Sequence, residues 1–200
     1  ADAERFIGLA NRRKRLLYKA KARSVVTLGA LSESVADADG RAIVFHESIE
    51  DIESLFLEAV DMRLPAVLEH SQLTDSLRAE NIGAFRKGIA RVIISAKSLV
   101  EGFNVPSADL GIIAASSGSV RQRIQSLGRM LRRKKEGRTA RIIVLYVQDT
   151  EDEAIYEKAD WEDIVGAETN RYFTWRSNPE GGSWTDGLEE MEQPPRPYKP

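Results

Sequence analysis

The chain has 200 residues, 42% of them hydrophobic, with two His (His46 and His70) and no Cys. That is enough for one ordinary domain with extensions and a real core; it excludes disulfides and Cys-based metal sites and argues against a His-rich zinc site. The net charge of −2 hides two unlike parts: Asp149–Pro200 carries fourteen acidic and five basic side chains, a net of −9, whereas Ala1–Gln148 carries seventeen acidic and twenty-four basic, a net of +7.

A basic body with an acidic tail points to a polyanion partner for the body and a protein partner for the tail. No apolar run is long enough to span a bilayer and no secretory signal pattern is present, so a cytoplasmic setting without a membrane partner is expected. The sequence begins at Ala1 without Met and reads as a piece of something longer or as a processed chain.

From about Glu4 to Val35 the pattern is helical and no Pro interrupts it, so one long basic amphipathic helix is expected over residues 1–36. Phe6, Leu9, Leu16, Leu17, Ala20, Leu28, Leu31 and Val35 fall near one broad face. Arg5, Arg12, Arg13, Lys14, Arg15, Lys19, Lys21 and Arg23 accompany them, either as a solvated face or as a surface that follows a nucleic-acid backbone.

After the turn Asp37–Gly40 the pattern becomes alternating strands and helices. Arg41–His46 is a short apolar strand. Ser48 is a natural N-cap for a helix with Ile49, Ile52, Leu55, Phe56 and Ala59 inward, and Asp51 stands at the capping-box position. Pro65–Glu69 is a second strand. Thr74 caps a helix running through Phe85 with Leu77 and Ile82 inward, which Gly88 ends. Ala90–Ser95, Leu110–Ala115 and Ala140–Val147 are further strands, and Asp149–Val165 reads as a closing helix. Arg171–Trp175 is an edge strand or a partner-facing strip, and the turn-rich acidic remainder reads as a tail.

Strands alternating with helices imply right-handed crossovers and a mostly parallel sheet, with ligands met by loops at the carboxyl ends of strands. That gathers His46–Ser48, His70–Thr74, Ser95–Asn104 and Ser116–Val120 on one rim. Close behind lies Ser119–Arg133, SVRQRIQSLGRMLRR. At helical spacing Gln125, Arg129 and Arg132 share one face, and Ile124, Leu127 and Leu131 share another that can bury itself. A guanidinium fork suits phosphate oxygens; a solvated basic helix is the plainer alternative.

The segment VIISAKSLVEGFNVPSADLGII, followed within a few residues by GSVRQRIQSLGRMLRR, resembles motifs V and VI of superfamily 2 helicases and translocases. It is most similar to the branch holding type III restriction subunits and XPB-like repair helicases. RAIVFHES resembles motif IV, and HSQLTDSLRAENIGAFRKG resembles the family segment that follows it. The likeness spans roughly Arg41 to Gln148 in the correct order, and the joint occurrence of E-G-x-x-x-P and Q-x-x-G-R-x-x-R at this spacing is specific.

The resemblance implies an α/β, RecA-like three-layer domain over residues 41–166, with a mostly parallel sheet. The long helix would precede it, and a partly irregular acidic extension would occupy residues 167–200. It implies that Arg129 and Arg132 reach the γ-phosphate of ATP held with Mg on another domain, and that Gln125 couples nucleotide to nucleic acid. Glu101, Gly102 and Asn104 would lie at the ribose or metal–nucleotide edge, and Gly128 would allow a close helix approach. It suggests nucleic-acid contacts from Ser48, Ser71, Ser95 and Lys97, with His46 and His70 nearby; the residues themselves also read as local caps and strand-end packing groups.

The sequence departs from the family at Asn104, where the usual residue is Asp, and at Ala96, where it is Thr or Ser. No phosphate loop and no acidic metal-binding box are present. The expectation is therefore the second motor domain of a DNA, rather than RNA, helicase or translocase, paired with an N-terminal motor domain of the same protein and inactive as an ATPase alone. A non-catalytic docking module on the same fold, and an unrelated nucleotide-binding α/β domain, are the alternatives.

Overall fold

A computed structural model describes residues 2–96, 108–116, 123–125, 127–128, 131, 140–155, 170–177 and 182–192. Among them the N-terminal stretch is helical, as expected, but divided. Helix α1 spans Asp2–Tyr18 and α2 spans Lys21–Ala36. The break falls at Lys19–Ala20, where Ala20 takes an extended backbone (φ −61°, ψ 116°). The single apolar face expected across both helices is corrected accordingly. Leu28, Leu31 and Val35 of α2 are buried, whereas Phe6, Leu9 and Leu16 of α1 are exposed.

Five strands follow: β1 (Ala42–His46), β2 (Ala66–Glu69), β3 (Val92–Ala96), β4 (Leu110–Ile113) and β5 (Arg141–Val144). They form one parallel sheet in the order β2-β3-β1-β4-β5. Strand β1 is central and wholly buried because it is covered on both faces and paired on both edges. Alternation along it separates two layers. Ala42 and Val44 pack with Leu28, Leu31, Ile52, Leu55 and Ala59 on one side. Ile43 and Phe45 pack with Phe85, Ile124 and Leu127 on the other.

The crossover helices begin and end where their caps stand. In α3 (Ile49–Asp61) the Ser48 hydroxyl accepts the Asp51 N–H at 3.3 Å, and Ile52, Leu55 and Ala59 are buried as expected. In α4 (Asp75–Lys87) Thr74 accepts from the Leu77 N–H at 3.3 Å. Gly88 closes it at φ 77°, left-handed backbone that a side chain would strain, and its N–H reaches the Ala84 and Phe85 carbonyls. Leu77 is exposed rather than inward; α4 is held by Phe85, 1% exposed, with Ile82 half-buried.

Of the expected closing helix, the described part is a short 3₁₀ turn at Glu151–Ile155, and residues 156–169 lie outside the described set. The extension is more ordered than a tail. Strand β6 (Tyr172–Trp175) pairs antiparallel with β7 (Leu188–Met191), and a 3₁₀ turn at Trp184–Gly187 leads into β7. Trp184 packs against the first core layer and lies on Gly29 of α2, where any Cβ would overlap its ring. The Trp175 indole N–H donates to the Trp184 carbonyl at 2.8 Å, tying the two strands to this anchor. No helix among the described residues is long and apolar enough to cross a membrane.

Candidate functional site

The carboxyl ends of β1, β2, β3 and β4 lie on one rim of the parallel sheet, and hydrogen bonds join β2 to β3 there and the loop after β1 to the end of β4 through Arg123. After β1, the Ser48 N–H donates to His46 Nδ1 at 3.0 Å, which bends the chain into α3. His46 is buried against the edge of the Tyr18 ring, with centroids 5.5 Å apart. Burial pushes its pKa down to about 4; Asp51 opposes this and the Arg23 guanidinium adds to it.

The imidazole therefore stays neutral in the folded chain to about pH 4, while in the unfolded chain it takes up a proton near pH 6.5. The unfolded state binds more protons within that window. The stability concerned is fully present above pH 6.5 and is lost as the pH falls to 4, about 3 kcal/mol in all. Urea melts across pH 4–6.5 should show a flatter stability profile for His46→Gln than for the native chain, and equal slopes would contradict this account.

After β2 and β3, Glu69 is 1% exposed and accepts from Arg78 Nε at 2.7 Å and from the Ser95 hydroxyl at 3.2 Å. Ser95 is itself fully buried, so its hydroxyl is committed inside the rim rather than presented from it. His70 is buried too, its Nδ1 accepting the Gln72 N–H at 3.3 Å and its Nε2 lying 3.5 Å from Glu53. Both His therefore have strand-end packing positions. Ser48 is half-buried and acts as a cap, and Ser71 is exposed on the turn after β2.

After β4, Arg123 is 5% exposed, with Nη2 2.8 Å from Glu47 Oε2 and Nη1 3.3 Å from the Ala115 carbonyl. Residues 123–125 and 127–128 are helical. Ile124 and Leu127 are buried, and Leu127 lies over Gly111 of β4, where a Cβ would come 2.9 Å from Leu127 Cδ2. Leu131 packs against the same layer. The apolar stripe expected from the sequence thus seats this helix on the sheet, and Gln125 is left exposed. A Cβ on Gly128 would meet nothing within 4 Å, so no close approach within this chain demands Gly there. Lys97, Glu101, Gly102, Asn104, Arg129 and Arg132 lie outside the described residues.

One residue of this region was not legible as special among the N-terminal bases. Arg23 of α2 is buried and bonds the Leu17 carbonyl at 3.0 Å, the Leu145 carbonyl at 2.9 Å, the Ala114 carbonyl and the carboxylate of Asp152. Asp152 also accepts the Val147 N–H at 2.9 Å. Burial lowers the Arg23 pKa to about 10, which leaves it charged at neutral pH. It joins the α1–α2 junction to the ends of β4 and β5.

Residues 25–134 match the helicase conserved C-terminal domain family. A 75-residue stretch is 39% identical to the DNA 3'-5' translocase XPB2 of Sulfurisphaera tokodaii, covering 38% of this chain and 17% of that relative. Among solved structures, domain 2 of the DEAD-box helicase Mss116p bound to an RNA duplex superposes with a TM-score of 0.58 at 18% identity, over 73% of this chain and 58% of the other. The Hef helicase domain of Pyrococcus furiosus gives 0.54 at 23% identity, over 68% and 28%. The C-terminal domain of the DEAD-box protein Dbp5 gives 0.53 at 18% identity, over 68% and 78%. The chain spans about one sixth of the length of the translocase it matches.

Proposed function

The chain belongs to the helicase conserved C-terminal domain family, and from that premise we propose that it is the second motor domain of an ATP-dependent nucleic-acid helicase or translocase. Its parallel five-stranded sheet with flanking helices is the RecA-like fold of such domains. The observation that carries the proposal is the helical stretch at residues 123–125 and 127–128, where Ile124 and Leu127 are sunk against the sheet and Gln125 is exposed.

In this reading residues 41–166 are the motor domain, residues 1–36 are its leading helices, and residues 167–200 are an accessory extension that receives a protein partner. ATP with Mg, held mainly by a first motor domain of the same protein, supplies the phosphoryl group. Arg129 and Arg132 stabilise the charge that develops on its oxygens, and Gln125 couples nucleotide to nucleic acid. Glu101, Gly102, Asn104 and Gly128 border the nucleotide. Ser48, Ser71 and Lys97 grip backbone phosphates on the rim, without reading sequence. The chain alone lacks half of the site and does not hydrolyse ATP. The setting is cytoplasmic. DNA is favoured over RNA because the 39%-identical relative is described as a DNA translocase, while the RNA-bound Mss116p domain stands at 18%.

The test is ATP turnover by the complete protein with single- and double-stranded DNA and RNA. Stimulation by DNA beyond that by RNA is expected. Stimulation by RNA alone would overturn the DNA assignment, and no turnover with any nucleic acid would favour the docking-module alternative.

A further inference from the structure

Arg123 points into the protein. Its guanidinium is 5% exposed and reaches two loops at once, Glu47 after β1 and the Ala115 carbonyl after β4. Glu47 stands between His46, the last residue of β1, and Ser48, the cap of α3. The bend there is fixed by the bond from the Ser48 N–H to His46 Nδ1, and His46 is buried. A shift of the rim at Ser48 therefore cannot leave Glu47 in place.

The helical stretch in which Arg123 lies is anchored independently by Ile124 and Leu127, both 1% exposed or less. The ion pair is thus not what attaches the helix to the sheet. A half-buried pair is also a poor way to gain stability, since desolvation on the Arg123 side offsets much of its Coulombic gain. What the pair does provide is a directional link between the loop after β1 and the helical stretch at Arg123. Arg serves this better than Lys would, because its planar fork can hold a carboxylate and a carbonyl together.

We infer that Arg123 is a positioning residue which, through Glu47, couples nucleic-acid occupancy of the rim to the setting of the helical stretch at Ile124 and Leu127, on whose continuation the motor reading puts Arg129 and Arg132. The inference rests on the motor-domain reading above. Nucleic acid that grips the rim at Ser48 moves or steadies Glu47, Glu47 holds the Arg123 guanidinium, and Arg123 sets the rotation of the helix about its Ile124–Leu127 anchor.

The experiment uses the complete protein and compares Glu47→Gln, Arg123→Met and the double variant. Three readouts are taken: basal ATP turnover, turnover at saturating DNA, and DNA affinity. Each single variant should lower the ratio of stimulated to basal turnover by about fivefold or more, the scale of ordinary site-to-site coupling. Basal turnover and DNA affinity should remain within about twofold. The double variant should lose no more than the worse single, because both remove one link. Arg123→Lys should recover part of the ratio by restoring the charge.

Unchanged ratios in the single variants, or losses that multiply in the double, would overturn the inference while leaving the motor reading intact. A native protein whose ATP turnover does not respond to nucleic acid would overturn both. Should Arg123→Met fail to fold, Glu47→Gln carries the test, since that side chain is 23% exposed and the change keeps its shape.

Discussion

Replacing Arg129 or Arg132 with Ala in the complete protein is expected to lower ATP turnover by about 10³-fold or more, the established worth of an arginine finger, while changing nucleic-acid affinity little. Charge accumulates on the equatorial oxygens of the transferring phosphoryl group in the transition state, and a guanidinium fixed against it lowers the barrier without any covalent role. The described part of the segment supports this assignment. Ile124 and Leu127 are buried and Gln125 is exposed, so the helical phase that the sequence predicts holds where it can be followed. The sequence spacing alone predicts Arg129 and Arg132 on the face of Gln125. Turnover is measured at saturating ATP with and without DNA, and affinity by titration of labelled duplex. Native rates in both variants would remove the finger assignment, and a parallel collapse of DNA affinity would recast the two arginines as backbone contacts.

The second large effect falls on stability. Arg23→Ala should destabilise the chain by about 3–5 kcal/mol, because removing one member of a buried pair leaves the other charge uncompensated. The site meets that condition: Arg23 and Asp152 are 5% and 7% exposed, and the guanidinium also serves three backbone carbonyls, one in α1 and one just after each of β4 and β5. For a chain of this size the loss corresponds to a fall in Tm of roughly 6–20 °C. The variant Arg23→Met/Asp152→Asn is expected to regain part of it. Asn keeps an oxygen for the Val147 N–H, now bonded at 2.9 Å to Asp152, and Met refills the volume without a charge. A double variant no better than Arg23→Ala would show that the carbonyl contacts, rather than the ion pair, hold this junction.

The strands and caps were legible in the sequence because each rests on local chemistry. Arg41–His46 and Ala90–Ser95 are unbroken β-prone runs, and Ser48, Thr74 and Gly88 act on backbone groups within a few residues of themselves. The division between α1 and α2 was not legible, since Lys19 and Ala20 are both good helix formers and the break is set by tertiary contacts. The same holds for the two buried guanidiniums. Nothing local distinguishes Arg23 from Lys21, or Arg123 from Arg121. What buries Arg23 is a set of carbonyls and a carboxylate as many as 129 positions away, and what buries Arg123 is a carboxylate 76 positions away. Strand β7 was hidden because its sequence, LEEM, shows two carboxylates and no β-prone run; it is a strand because Tyr172–Trp175 pairs with it. At the candidate site, the apolar stripe Ile124–Leu127 was legible by period, whereas the inward turn of Ser95 depended on a Glu69 carboxylate in a neighbouring strand.

The seat of Trp184 on Gly29 also has a meaning in time. The two residues are 155 positions apart, so during synthesis at ~5–20 residues per second α2 emerges roughly 8–30 s before the ring that covers it. Throughout that interval the bare backbone at Gly29 and the apolar surface beside it stand open on the growing chain.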